Sequence, residues 1–143
     1  MIEELEKIQR NGIKWSDAIL KGADMRFSCD GKLFTIEYCS LCSCTLGAAL
    51  EGTYGQNILK ISNLKFLTSL GNHVKINKIL INIFPELNNF IVNKDILSKY
   101  DCFDRETRLN LEVTLMDFIM TLNDYSDYSR EQIAYLVAEM GFW

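Results

Sequence analysis

The sequence predicts a mainly α-helical single domain with a small β-hairpin, an α+β chain folded as one compact helical body over residues 1–143. Apolar residues recur every three to four positions along most of the chain, most clearly in its last third. One stretch, 26–38, instead alternates apolar and polar residues around an Asp30-Gly31 turn signal. A chain of 143 residues, 48% hydrophobic and 24% charged, can bury one core without staples and lies far from the composition of disordered chains.

The elements follow in order. Leu5 and Ile8, three apart among charged residues, predict a short helix over 3–9 that closes at Asn11-Gly12, residues that tolerate left-handed backbone. Ser16 is placed to cap a second short helix carrying Ala18, Ile19 and Leu20 and ending at Gly22. Phe27 and Cys29 read as one arm of the hairpin, and Phe34, Ile36 and Tyr38 as the other. Residues 44–50 read as a compact helix of small residues. Gly47, Ala48 and Ala49 would let a neighbouring backbone approach it, and Gly52 and Gly55 would break it.

Residues 58–87 fit helix by length despite their many isoleucines, divided at Gly71-Asn72 and stopped by Pro85, the only proline. Residues 88–103 are the least regular, with one short helix expected around Ile96. Leu111, Leu115, Phe118, Ile119 and Leu122 predict a core helix over 105–122. Ser129-Arg130-Glu131-Gln132 forms a capping-box signal for a last helix, whose buried stripe is Ile133, Leu136, Val137 and Met140 and which ends at Gly141.

Charge narrows the partners. The net charge of -4 is spread along the chain, and no run of lysines and arginines is dense enough to neutralise a string of phosphates, so nucleic acid is not expected as a partner. Lys60, Lys65, Lys75 and Lys78 read as a solvated helix face. Residues 1–10 are charged and amphipathic rather than basic then apolar, which is not a secretory signal, and no segment approaches the roughly 20 apolar residues of a membrane span. The expected compartment is the cytoplasm, with five reduced cysteines.

Those cysteines carry the one metal hypothesis. Cys39-Ser-Leu-Cys42-Ser-Cys44, with Cys29 across the expected hairpin, makes Cys29, Cys39, Cys42 and Cys44 a candidate zinc set, since zinc takes four sulfur or nitrogen ligands tetrahedrally. Only Cys39 and Cys42 have knuckle spacing, however, and small buried cysteines beside Gly47 and Ala48 are the plainer account. No other cofactor is called for. Cys44 at a helix start would have its thiol pKa lowered by the helix dipole, which makes it the candidate nucleophile, but His73 is the only histidine and no acid is spaced to orient it. The phosphate-binding G-x-x-x-x-G-K-[ST] loop, the G-x-S-x-G elbow and the H-E-x-x-H helix are all missing from the sequence, so no catalytic residue is assigned.

The segment 122–129 joins the two most regular helices. Asn123 and Asp124 suit turn backbone, whereas Tyr125, Tyr128, Phe142 and Trp143 gather aromatic side chains at the C-terminal end, a composition typical of partner-binding surfaces. Asn123, Asp124 and Arg130 are also the polar residues that a small-ligand site here would use.

Two stretches resemble a small, uncharacterised family of phage, prophage and bacterial proteins. Ala18-Ile-Leu-Lys-Gly22 followed by Cys44-Thr-Leu-Gly-Ala-Ala-Leu-Glu-Gly52 is similar to its A-I-x-x-G and C-A-L-G-A-A-L-E-A opening. Leu122-Asn-Asp124 and Ser129-Arg-Glu-Gln-Ile-Ala134 are similar to its L-N-D and W-S-R-E-Q-I-A closing, with Phe84-Pro85 matching a step between them. Many members have a C-P-x-C knuckle where this chain has only Cys102, and Tyr128 stands where tryptophan is usual, which weakens the zinc reading.

The resemblance implies an origin in mobile genetic elements and no mechanism. The expectation is an accessory or regulatory protein that binds a host or phage protein, an inhibitor of a host defence system being one form. The alternatives are a protein that sequesters or cleaves a small ligand such as a nucleotide signal, and a structural zinc module. Apolar residues beyond one core's needs in 76–90 hint at a homo-oligomer.

Overall fold

The computed structural model describes residues 2–38 and 40–141. A short helix α1 (Ile2–Glu6) precedes a turn in which Asn11 and Gly12 take left-handed backbone, as their sequence signal predicts. Helix α2 (Trp15–Ala23) starts one residue before Ser16, which is buried in its first turn, so the expected serine cap does not form and Lys14 occupies the cap position.

Helix α3 (Thr45–Tyr54) makes its most extensive contact with α2. The two cross where side chains are smallest. A Cβ on Gly22 would overlap the Ala48 carbonyl, and one on Gly52 would overlap the Ala18 carbonyl. Gly52 is therefore the floor of a helix crossing rather than a break, and the break falls at Gly55, whose φ of 78° caps the helix.

Strands β1 (Phe27–Ser28), β2 (Phe34–Glu37) and β3 (Ser40–Ser43) form a mixed sheet in the order β1-β3-β2. The antiparallel hairpin is β2–β3, with Phe34 opposite Ser43 and Ile36 opposite Leu41, while β1 runs parallel to β3 with Phe27 opposite Cys42. This corrects the pairing expected from sequence, which joined 27–29 to 34–38. The Asp30-Gly31 signal does bend the chain, with Gly31 at φ 76°, but the Gly31 N–H donates to Asp124 and the Cys29 N–H to the Ser43 carbonyl. The first arm is thereby drawn to β3 instead of β2.

A 3-10 turn (Ile58–Lys60) leads to α4 (Leu64–Thr68) and α5 (Leu70–Ile83), which separate at the extended Ser69 and leave Gly71 inside α5. Short helices α6 (Glu86–Asn89) and α7 (Lys94–Leu97) occupy the irregular middle, the latter at the expected Ile96. The helix expected over 105–122 is two, α8 (Arg105–Asn110) and α9 (Leu115–Tyr125). Between them the chain is extended: Thr114 bridges Ile91, and the Val92 N–H donates to the Val113 carbonyl at 2.8 Å. Leu111, expected on the core face, is 54% exposed.

The core joins these layers through Trp15, Phe34, Phe84 and Phe118, all fully buried. Trp15 meets Phe84 edge-on at 4.4 Å, and Phe103 stacks on Phe118 at 5.5 Å. Ile76, Ile79, Leu80, Ile83, Phe84 and Leu87 all point into this core, while Ile81 and Phe90 are only partly buried against it. Among the described residues no helix is long and apolar enough to cross a membrane.

Helix α10 (Arg130–Glu139) begins with the predicted capping box: Ser129 Oγ accepts the Gln132 N–H at 3.1 Å, and Gln132 Oε1 accepts the Ser129 N–H at 2.7 Å. Ser129→Ala should destabilise the protein by about 1 kcal/mol and speed amide exchange in the first turn of α10. Unchanged exchange there would show that the cap contributes nothing.

Candidate functional site

Two polar residues near the C-terminal end, Asn123 and Arg130, lie inside the molecule. Asn123, near the end of α9 and 8% exposed, accepts the Thr45 N–H at 2.9 Å and the Thr45 hydroxyl at 2.7 Å through Oδ1. Its Nδ2 donates to the Cys29 carbonyl at 3.0 Å and to Asp124 Oδ1 at 2.9 Å. Asp124 Oδ1 in turn accepts the Gly31 N–H at 2.8 Å. The start of α3 and the segment after β1 are thus tied to α9 by two adjacent side chains.

Arg130, 7% exposed, does the same for α10. Its guanidinium donates to the Ser43 carbonyl at 3.2 Å, the Ser43 hydroxyl at 2.9 Å, the Ala23 carbonyl at 3.1 Å and the Arg26 carbonyl. A planar fork with five N–H donors is the one side chain that can reach the end of α2, the entry to β1 and β3 together. Beside it Arg26 pairs with the fully buried Glu51 at 3.0 Å and donates to Asn57 Oδ1. Glu51 was not singled out from sequence, although a lone carboxylate among the small apolar residues of 44–52 was the available signal.

Arg130 is thus buried against backbone carbonyls, and Asn123, also buried, lines one recess. Contacts among these segments converge: Gly22 and Gly52 meet the facing helix at the α2–α3 crossing, Asn123 bonds Thr45, and Arg130 bonds the strand that leads into α3.

Cys29, Cys42 and Cys44 each have a local partner. Cys29 Sγ donates to the Lys32 carbonyl and Cys42 Sγ to the Ser40 carbonyl, while Cys44 Sγ accepts the Gly47 N–H at 3.5 Å. Burial, reinforced by Cys44 and Cys42, pushes the Cys29 thiol up to about 12. Cys44 caps α3 as expected, but burial pushes its thiol up to about 11, and the N–H groups of Gly47 and Leu46 offset only part of that. The lowered pKa that a nucleophile here would need is reversed. Among the described residues no three His, Cys, Asp or Glu side chains gather around a point that would hold a metal ion. Cys29, Cys42 and Cys44 thus do not form a zinc site by themselves, and Cys39 lies outside the described residues.

His73 is 7% exposed, and its Nε2 meets the Leu67 carbonyl at 2.7 Å. Burial, more than the nearby Lys32, lowers its pKa below 6.5, while the Leu67 carbonyl acts the other way. The neutral ring carries its proton on Nε2. Since the unfolded chain takes up a proton more readily at this position, the folding stability that His73 contributes is complete above pH 6.5 and declines as pH falls through the lowered folded value. His73→Gln should flatten the fall in melting temperature over that window, and an unchanged slope would contradict the assignment.

Two of the surface recesses involve residues singled out from the sequence. The first is a groove of about 430 Å³ lined by Tyr100, Tyr125 and Tyr128 with Lys99, Asp101 and Asp127. Tyr100 meets Tyr128 edge-on at 5.8 Å and Phe118 at 5.6 Å, which fixes it to the core, while Tyr125 is 76% exposed. The sequence-predicted Tyr125 and Tyr128 thus share one surface. Tyr100 was missed because it lies in the irregular middle of the chain, and Phe142 and Trp143 lie outside the described residues. The second recess, about 220 Å³, sits between the start of α3, α5 and α9.

No family model, no curated protein and no solved structure matches this chain.

Proposed function

We propose that this is a phage-type accessory or regulatory protein that acts by occupying a macromolecular partner, a host defence component being the expected class. The observation that supports the reading is the tyrosine groove. Tyr100, Tyr125 and Tyr128 present aromatic faces and hydroxyls together on a rigid base, the composition from which binding hot spots are built. Cys102 also lines that groove, and burial raises its thiol pKa, so it is not poised there as a nucleophile.

The test uses the full chain as bait in host lysate and compares retention of whatever partner it recovers. Tyr125→Ala and Tyr128→Ala should each weaken retention by about tenfold or more, the scale of a hot-spot truncation. Tyr135→Ala, which removes a side chain 64% exposed on α10, should leave it intact. A lysate that yields no partner, or a partner held equally well by the groove variants, would contradict the reading.

A further inference from the structure

We propose that the recess between α3, α5 and α9 is a binding site for a primary ammonium group carried on a short aliphatic body, an alkylamine or an aliphatic amino acid. It is separate from the tyrosine groove, so the two tests fail independently.

The polar lining is dominated by acceptors. His73 and Asn77, four apart on α5, face the same recess. His73 Nε2 is bonded to the Leu67 carbonyl, which leaves Nδ1 as a lone-pair acceptor. Asn77 Oδ1 is screened from solvent and has no hydrogen-bond partner among the described residues, an arrangement that costs stability unless a ligand supplies a donor. Asp124, from α9, uses Oδ1 for Gly31 and Asn123, and its other oxygen has no hydrogen bond among the described residues. An imidazole nitrogen, an amide oxygen and a carboxylate match the three N–H donors of an ammonium.

Other ligand classes fit less well. The first amide of α3 is already taken by Asn123, and Asp124 would repel a phosphate, so there is no anion cradle. The walls are Leu33, Leu46, Leu70, Val74, Ile119 and Met120, with no aromatic ring besides His73, so a nucleobase finds no stacking partner. A closed apolar cavity of about 150 Å³ holds a benzene-sized guest. The 220 Å³ here suits a guest slightly larger, below the size of a nucleotide. Lys32, exposed at the rim, is placed to meet a carboxylate and so to prefer an amino acid over a plain amine.

Calorimetric titration of the full chain with isopentylamine, leucine, isovalerate and adenine tests this. Isopentylamine or leucine should bind with a dissociation constant of about 1 mM or tighter, a scale that a ligand of so few atoms can reach, while isovalerate and adenine should not. Asn77→Leu, which removes the orphaned acceptor, and Val74→Phe, which fills the mouth from an exposed position, should each weaken binding by about tenfold or more with the Tyr125→Ala control unaffected. Stronger binding of leucine than of isopentylamine, abolished in Lys32→Ala, assigns the rim as a carboxylate contact, and the reverse order restricts the site to plain amines. Binding of isovalerate or adenine equal to that of the amines, binding unchanged in both cavity variants, or no binding by either amine would overturn the proposal.

Discussion

Gly52→Ala should destabilise the protein by about 3 kcal/mol or more, a large fraction of a typical domain's stability. Local propensity predicts the opposite sign, because alanine in a helix interior is favoured over glycine by about 1 kcal/mol. The crossing decides the outcome. The added methyl would collide with the Ala18 carbonyl, a backbone atom that cannot rotate away, and Gly22 makes the reciprocal approach to Ala48. Relief requires α2 and α3 to separate along their whole contact, which also loosens Trp15, Ala18, Leu46 and Leu50. Gly71→Ala is the control. It lies inside α5 with nothing within 4 Å of the added atom, so it should stabilise by about 0.5–1 kcal/mol. Urea midpoints of the two variants moving in the same direction would contradict the crossing as described.

Arg130→Met should cost about 3–5 kcal/mol. Methionine keeps much of the aliphatic volume but leaves the Ser43 hydroxyl and the Ala23 and Arg26 carbonyls without the guanidinium donor, and the Ser43 carbonyl with the Cys29 N–H alone. These groups belong to three different elements, so the loss uncouples α10 from the sheet and from α2 together. Arg130→Lys should rescue little, because one ammonium cannot span all of these acceptors. A urea midpoint within error of the wild type, with unchanged slope, would show that the guanidinium is not holding these elements.

The parts of the fold that were legible in the sequence are those set by local signals. The stripe of Leu115, Phe118, Ile119 and Leu122 became α9, and the Ser129–Gln132 capping box became the start of α10. What local signals do not encode is pairing across the chain. Residues 27–29 alternate like a hairpin arm, yet they join β3 in parallel because Asp124, nearly a hundred residues on, holds Gly31. Leu111 kept helical spacing with α9 but lies in an extended segment that pairs with 90–92. The signal for that boundary was present in Thr114-Leu-Met-Asp117, where Thr114 accepts the Asp117 N–H at 3.2 Å.

The candidate site divides in the same way. Tyr125 and Tyr128 were visible as aromatics clustered at a helix junction, and they do line an open groove. Asn123, Asp124 and Arg130 were equally visible as polar residues, but sequence does not distinguish a polar side chain that faces a ligand from one that faces buried backbone. Here most of their hydrogen bonds go to backbone and side-chain groups of other elements. The recess between α3, α5 and α9 draws on four separate segments, which no linear pattern brings together.

Labour is divided: the buried Asn123 and Arg130 hold the helices to the sheet, and the proposed partner contact falls to the exposed Tyr125 and Tyr128. The most direct measurement pairs the urea midpoint with partner retention for Arg130→Met and Tyr125→Ala. The account predicts a large drop in midpoint for Arg130→Met, and a midpoint equal to the wild type with lost retention for Tyr125→Ala. An Arg130→Met protein as stable as the wild type that nevertheless releases the partner would contradict it.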